Sequence, residues 1–235
     1  MKPRNEKTLC RVGVRDIRKP ILALFAATVI AVTLLVSPRV SADSASDAQE
    51  WRFRVYLDDK EIGTHEFYLK QQGPERILHS TADFEYKLLF VKLYEYQHEN
   101  SEVWQGNCLK QIESSTDANG KPFAVSGQRE EQHFVVQNNR GESALPPCIM
   151  SFAYWNPEFL LQTHLLNSQN GEFLPVNVSP AVFDPLEVRG ETQNAWRYEL
   201  LAGELQLELW YSEDHRWLGL ASQAEGGRTL RYELL

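Results

Sequence analysis

The chain is poor in sulfur, with three cysteines and two methionines among 235 residues. None of its six histidines takes part in a His-x-His or His-x-x-x-His pattern, and no Cys-x-x-Cys occurs, so a dedicated zinc site is not signalled. A Gly-x-Ser-x-Gly elbow and a phosphate-cradling glycine loop are both missing, which leaves hydrolase and nucleotide chemistry without sequence support. Internal repeats and low-complexity segments are absent too. Positive charge is scarce beyond residue 42: residues 43–235 carry 16 basic and 30 acidic side chains, a net charge of -14. A body that acidic repels phosphate backbones and does not dock on an anionic membrane through a basic patch, so nucleic acid is excluded as a partner. The apolar, charge-free stretch Ile21 to Val36 has sixteen residues, short of the ~20 that span a bilayer comfortably.

What is there divides into an address and a body. Residues 1–42 hold eight basic and two acidic side chains, then the apolar run, then Val40-Ser41-Ala42. A positive region, an apolar region and a small-residue exit form a secretory signal, with cleavage expected after Ala42 and export to the periplasm. The alternative is an uncleaved signal anchor, the one expected route to the membrane. Cys10 precedes the apolar run and is no lipoprotein attachment site. Residues 43–50 (DSASDAQE) read as a flexible lead-in, and 51–235 as one β domain.

From Trp51 onward the pattern has period two. Trp51, Phe53, Val55 and Leu57 alternate with Arg52, Arg54, Tyr56 and Asp58, as in a strand with one buried face. Ala82, Phe84, Tyr86 and Leu88 repeat it, and so do Leu205, Leu207, Leu209 and Tyr211. Asp58-Asp59-Lys60, Gln72-Gly73-Pro74, Asn138-Asn139-Arg140-Gly141 and Ala202-Gly203-Glu204 are turns. The expected fold is mainly β, a single curled antiparallel meander of about ten to twelve strands forming an open or half barrel. One segment breaks the rhythm. Asn156-Pro157-Glu158 offers a cap, a proline at the first helical position and a first-turn acid, so a short helix near 157–167 is expected to cover the concave side.

Cys108 and Cys148 are the two cysteines of the exported body, and in an oxidising compartment they read as a disulfide stabilising the fold by ~3–4 kcal/mol. The sharper alternative is a Cys148 nucleophile assisted by His164. Candidate binding chemistry lies in Val91 to Trp104, where even positions of a strand place Tyr94, Tyr96, His98, Glu102 and Trp104 on one face. Polar-tipped rings beside a histidine and a carboxylate suit an amphipathic ligand; core packing is the plainer alternative for each. Tyr154 and Trp155, just before the helix, are candidates for the lid of the same hollow. No catalytic residue, metal ligand or cofactor is indicated, although His98/Glu102 and Cys148/His164 are the pairs an enzyme would use.

Cys148 to Pro157 (CIMSFAYWNP), Trp51 to Gly63 (WRFRVYLDDKEIG) and Tyr94 to Leu109, with the Thr116–Gly120 turn, resemble an uncharacterised bacterial family of exported domains. The resemblance implies a periplasmic β domain and transfers no functional residue. More remotely, the expected architecture is similar to lipoprotein-carrier-type open barrels, which hold acyl chains in their concavity; the chain departs from anchored receptors of that type in lacking a lipidated cysteine. The expected function is therefore non-enzymatic binding of a lipid or other amphipathic small molecule. The alternatives are a protein-protein interaction or scaffold domain of the envelope and, more remotely, an enzyme acting on lipid or glycan.

Overall fold

The computed structural model describes residues 48–88 and 90–235. The expected signal at 1–42 and its cleavage site lie outside the described residues, as do residues 43–47 of the lead-in. Eight strands follow one another by hairpins: β1 (Ala48–Leu57), β2 (Lys60–Gln72), β3 (Glu75–Leu88), β4 (Val91–Gln105), β5 (Cys108–Ala118), β6 (Lys121–Arg129), β7 (Phe134–Asn138) and β8 (Gly141–Leu145). Six short strands come next: β9 (His164–Leu166), β10 (Phe173–Pro175), β11 (Asn177–Val178), β12 (Val182–Phe183), β13 (Leu186–Val188) and β14 (Glu191–Gln193). The chain closes with β15 (Ala195–Ala202), β16 (Leu205–Ser212), β17 (Trp217–Ala224) and β18 (Arg228–Leu234). The twelve longer strands are those the alternation and turns predict; the six short ones carry too few residues for a period to register.

The large sheet runs β11-β15-β16-β17-β18-β1-β2-β3-β4-β5-β6-β7-β8, with β12 also on β15. It is thus a meander whose two arms are joined at β1–β18, where Val55 faces Tyr232 and Leu57 faces Leu230. Its free edges are β8 and β11, so the sheet curls without closing into a barrel. Register shifts at Val55/Tyr56, Tyr86/Lys87, Val103/Trp104 and Trp210/Tyr211 are the bulges that sharpen twist and bend. Gly63, at φ +150°, sits where β2 closes on β3; a Cβ there would fall 1.9 Å from the Asp83 carbonyl oxygen. Only glycine permits that approach.

Between the two edges the chain crosses the concave face. Leu109 N–H donates to Ile149 O (2.9 Å), and Cys108 is bonded to Cys148, so β5 holds the start of the crossing. Met150, Trp155, Phe159, Leu165 and Leu166 then bury themselves among Phe53, Trp104, Ile112, Phe134, Leu209 and Trp217 of the sheet. This is the main core. The β13–β14 hairpin packs on the outer face, with Val188 against Leu218 and Ala195, which explains why β17 is buried on both sides.

Two expectations need correction. The helix is a single 3-10 turn, Pro157–Leu161, capped by Asn156 and broken at Gln162, whose backbone is extended. His164–Leu166 is strand instead, because Asn167 and Gly171 form a turn (Gly171 N–H to Asn167 O, 2.8 Å) that folds β10 back on β9. The lead-in also ends sooner. Ala48 to Glu50 continue β1, paired with Lys70 to Tyr68; their side chains are exposed, so no hydrophobic pattern marks them.

Candidate functional site

The crossing segment fills only part of the hollow. What remains is a cavity of ≈ 680 Å³ walled by Leu57, Ile62, Phe67, Leu78, Phe84, Leu207, Leu220 and Leu230 from the sheet. Phe152, Tyr154, Trp155 and the Asn167–Gln169 stretch close it from the crossing side. That stretch is tied down from below: Ser114 Oγ donates to Ser168 O (2.5 Å) and Tyr96 OH to Gln169 Oε1 (3.2 Å). The exposed members of the lining, Leu93, Tyr94 and Gln223, lie at the end that carries the β3–β4 and β17–β18 turns. The mouth lies there.

Strand register sets the inner chemistry. His65, Ala82, His98 and Thr116 stand in one row across β2 to β5, and Phe67, Ser80, Asn100 and Ser114 in the next. Two adjacent rows thus put a polar strip into an apolar wall. His98 Nδ1 meets Thr116 Oγ1 at 2.8 Å, and burial carries its pKa down to about 4. His65 Nδ1 meets Tyr232 OH at 3.3 Å; burial first, then neighbouring His98, hold it well below the ordinary imidazole range. Both rings are therefore neutral at pH 7. Glu102 accepts from Asn100 Nδ2 (3.1 Å) and Trp104 Nε1 (2.9 Å), and burial pushes its carboxyl up against those bonds.

Three buried polar atoms on lining side chains find no hydrogen-bond partner among the described residues: His65 Nε2, Asn100 Oδ1 and Trp155 Nε1. Buried polar groups are nearly always paired, so two on the sheet side and one on the crossing side of the same cavity stand out. Full charge among the described lining residues other than histidine is confined to Glu102 at depth and Arg228 at the mouth. Arg228 is engaged by Asp58 (2.9 Å) and lies over the Tyr86 ring (4.3 Å).

Of the residues singled out from sequence, Tyr94, Tyr96, His98, Glu102, Tyr154 and Trp155 line this cavity together. Trp104 does not. It shares their face but is fully buried in the core behind Glu102, edge-on to Trp155 at 5.5 Å, because the crossing segment fills that end of the face. Cys148 is committed to its disulfide, and His164 stacks on Phe173 (5.2 Å). His98 and Glu102 are each held by other partners rather than by one another. Among the described residues no group of three or more His, Cys, Asp or Glu is placed to hold a metal ion. Sequence reasoning missed His65, Ser80, Asn100 and Tyr232. His65 had a signal, a polar residue at an inward position of β2 between Ile62 and Phe67; Asn100 stood on the chosen face of β4 between His98 and Glu102.

A crystal structure described as a beta-barrel-like protein of the domain of unknown function DUF1849, from Brucella abortus, shares this fold. It superimposes with a TM-score of 0.57 at 9% identity, covering 79% of this chain and 94% of that one. None of the curated proteins matches the chain. Residues 53–235, which form the curled sheet and everything that lines its hollow, match the family model described as a domain of unknown function, DUF6134, and the chain belongs to that family.

Proposed function

We propose that this is an exported, periplasmic, non-enzymatic domain that holds one amphipathic molecule, a lipid by class, in the hollow of its sheet. The observation that carries the reading is the cavity itself: ≈ 680 Å³, inside the range of small-molecule sites, with leucine-rich walls and an inner polar strip. Each methylene withdrawn from water into such a wall contributes about 0.8 kcal/mol. Polar side chains in the same lining, Ser80, His98 and Asn100 among them, supply the complementary feature, partners for a ligand's polar group. That group is uncharged: the histidines are neutral, Glu102 is acidic, and Arg228 is already paired at the mouth. An ionised carboxylate would enter without a counter-charge.

The test compares an anthroyloxy-labelled fatty alcohol with the corresponding fatty acid at pH 8. Saturable, one-to-one binding of the alcohol, weaker binding of the acid, and loss of both in the cavity-filling variant Ser222→Trp are expected. Equal binding of both labels by the variant and the parent would sink the reading. The envelope-interaction alternative draws on a separate feature. Val182, Phe183 and Trp196 are 54%, 49% and 40% exposed, and the two rings contact one another on β12 and β15. Crosslinking from Phe183 that traps a protein partner would favour it.

A further inference from the structure

We propose that the β3–β4 hairpin is a membrane-docking finger that seats its tip in the interfacial layer of a lipid bilayer, bringing the cavity mouth to the surface. The register first sets it apart. The β2–β3 ladder ends at Gly63 and Phe84, and the β4–β5 ladder starts at Tyr96 and Ala118. Glu85–Leu88 and Val91–Tyr94 therefore continue the β3–β4 ladder past the ends of the ladders on either side, with Lys60 of β2 still reaching Lys87 O and the Tyr86 ring at the base of this ribbon. The ribbon then carries side chains that water does not favour. Phe90 is fully exposed, Val91 is 60% and Leu93 49% exposed, and Tyr94 beside them is 37% exposed. Exposed apolar side chains gathered at one hairpin end mark a surface built to be covered.

Three features commit the occupant to a bilayer. Lys87 and Lys92 flank the apolar residues with long stems that lie along apolar surface, their ammonium groups paired with Glu85 and Glu95. Tyr94 and Tyr86 follow at the depth where polar-tipped rings favour a membrane interface. Leu93 and Tyr94 also line the cavity, so the patch is continuous with its mouth. The charges balance locally, Lys87 with Glu85 and Lys92 with Glu95 (2.5 Å). Apolar insertion, rather than a basic patch, drives docking, which agrees with the acidic body and gives a weak salt dependence. This route to the membrane is independent of residues 1–42.

The test uses the full chain with Cys10→Ser and an environment-sensitive nitrobenzoxadiazole label on Phe90→Cys. A control carries the label on Gln72→Cys, an exposed position at the opposite end of the sheet. With phosphatidylethanolamine/phosphatidylglycerol vesicles, the label at 90 is expected to gain intensity several-fold and to be quenched by a shallow nitroxide lipid, while the label at 72 stays unchanged. Equal responses at the two positions, or none at 90 while the chain sediments with vesicles, would overturn the proposal. A concentration-dependent response at 90 without vesicles would overturn it in favour of a second copy of the chain. This readout needs no ligand in the cavity, so its failure is separate from failure of the binding reading.

Discussion

The two ends of the concave face are built from the same alternation and are finished differently. Near the disulfide, inward-facing Trp104, Leu109 and Ile112 meet Ile149, Trp155 and Phe159 of the crossing segment in the main core. Toward the β1–β2 turn, inward-facing Leu57, Ile62 and Phe84 form their own small cluster and meet a cavity. The difference teaches that alternation fixes which way a side chain points, whereas its partner on the other side of the hollow is supplied from far along the chain. A curled sheet this wide has more concave surface than one crossing segment can cover.

That contrast has measurable consequences. Phe159→Ala removes a fully buried ring where the crossing segment meets the sheet, so it is expected to cost about 3–5 kcal/mol in urea unfolding. An unchanged midpoint would mean that the filled end is no more packed than the hollow one. Replacing Cys108 and Cys148 together by serine frees a closure of sequence separation 40 and is expected to cost about 4 kcal/mol. Thiol titration of the denatured parent chain, which counts Cys10 alone when the bond is intact, is the companion measurement.

Acid separates the ends in another way. The folded-state pKa of His98 is about 4, below the ordinary ~6.5, so its contribution is complete above pH 6.5 and is lost as pH falls toward 4, roughly 3 kcal/mol in all. His65 acts in the same direction. Glu102, shifted up, takes its proton at higher pH when folded than when unfolded and partly offsets that loss. The stability profile of His98→Gln between pH 7 and 4 is expected to be flatter than that of the parent; an identical profile would remove His98 from the account. The smallest effect belongs to Ile62→Ala at the hollow end. One side of Ile62 already faces the cavity, so about 2 kcal/mol is expected, the low end for such truncations. A cost matching that of Phe159→Ala would erase the distinction between the ends.

Most strands could be read directly, because Phe53/Val55/Leu57 and Leu205/Leu207/Leu209 hold period two long enough to count. The crossing segment could not. Leu160, Leu165 and Leu166 follow neither period, since the 3-10 turn and the three-residue β9 that carry them are too short for one to register. A proline after a capping residue started the expected helix correctly, but nothing local announced that the Asn167–Gly171 turn would claim His164 to Leu166 for a hairpin. In the site, polar side chains on β4 were visible as one face. Trp104 and Glu102 share that face, yet one is core and the other cavity wall.

By itself the sequence determined the longer strands, their turn positions and the face of β4 on which Tyr94, Tyr96, His98 and Glu102 stand, because these follow from a two-residue backbone period and from residues that favour turns. Tertiary structure decided which part of the hollow stays open, which polar atoms lack partners and that β1 lies beside β18. Those depend on where the crossing segment stops and on pairings between residues nearly two hundred positions apart, which no local pattern encodes.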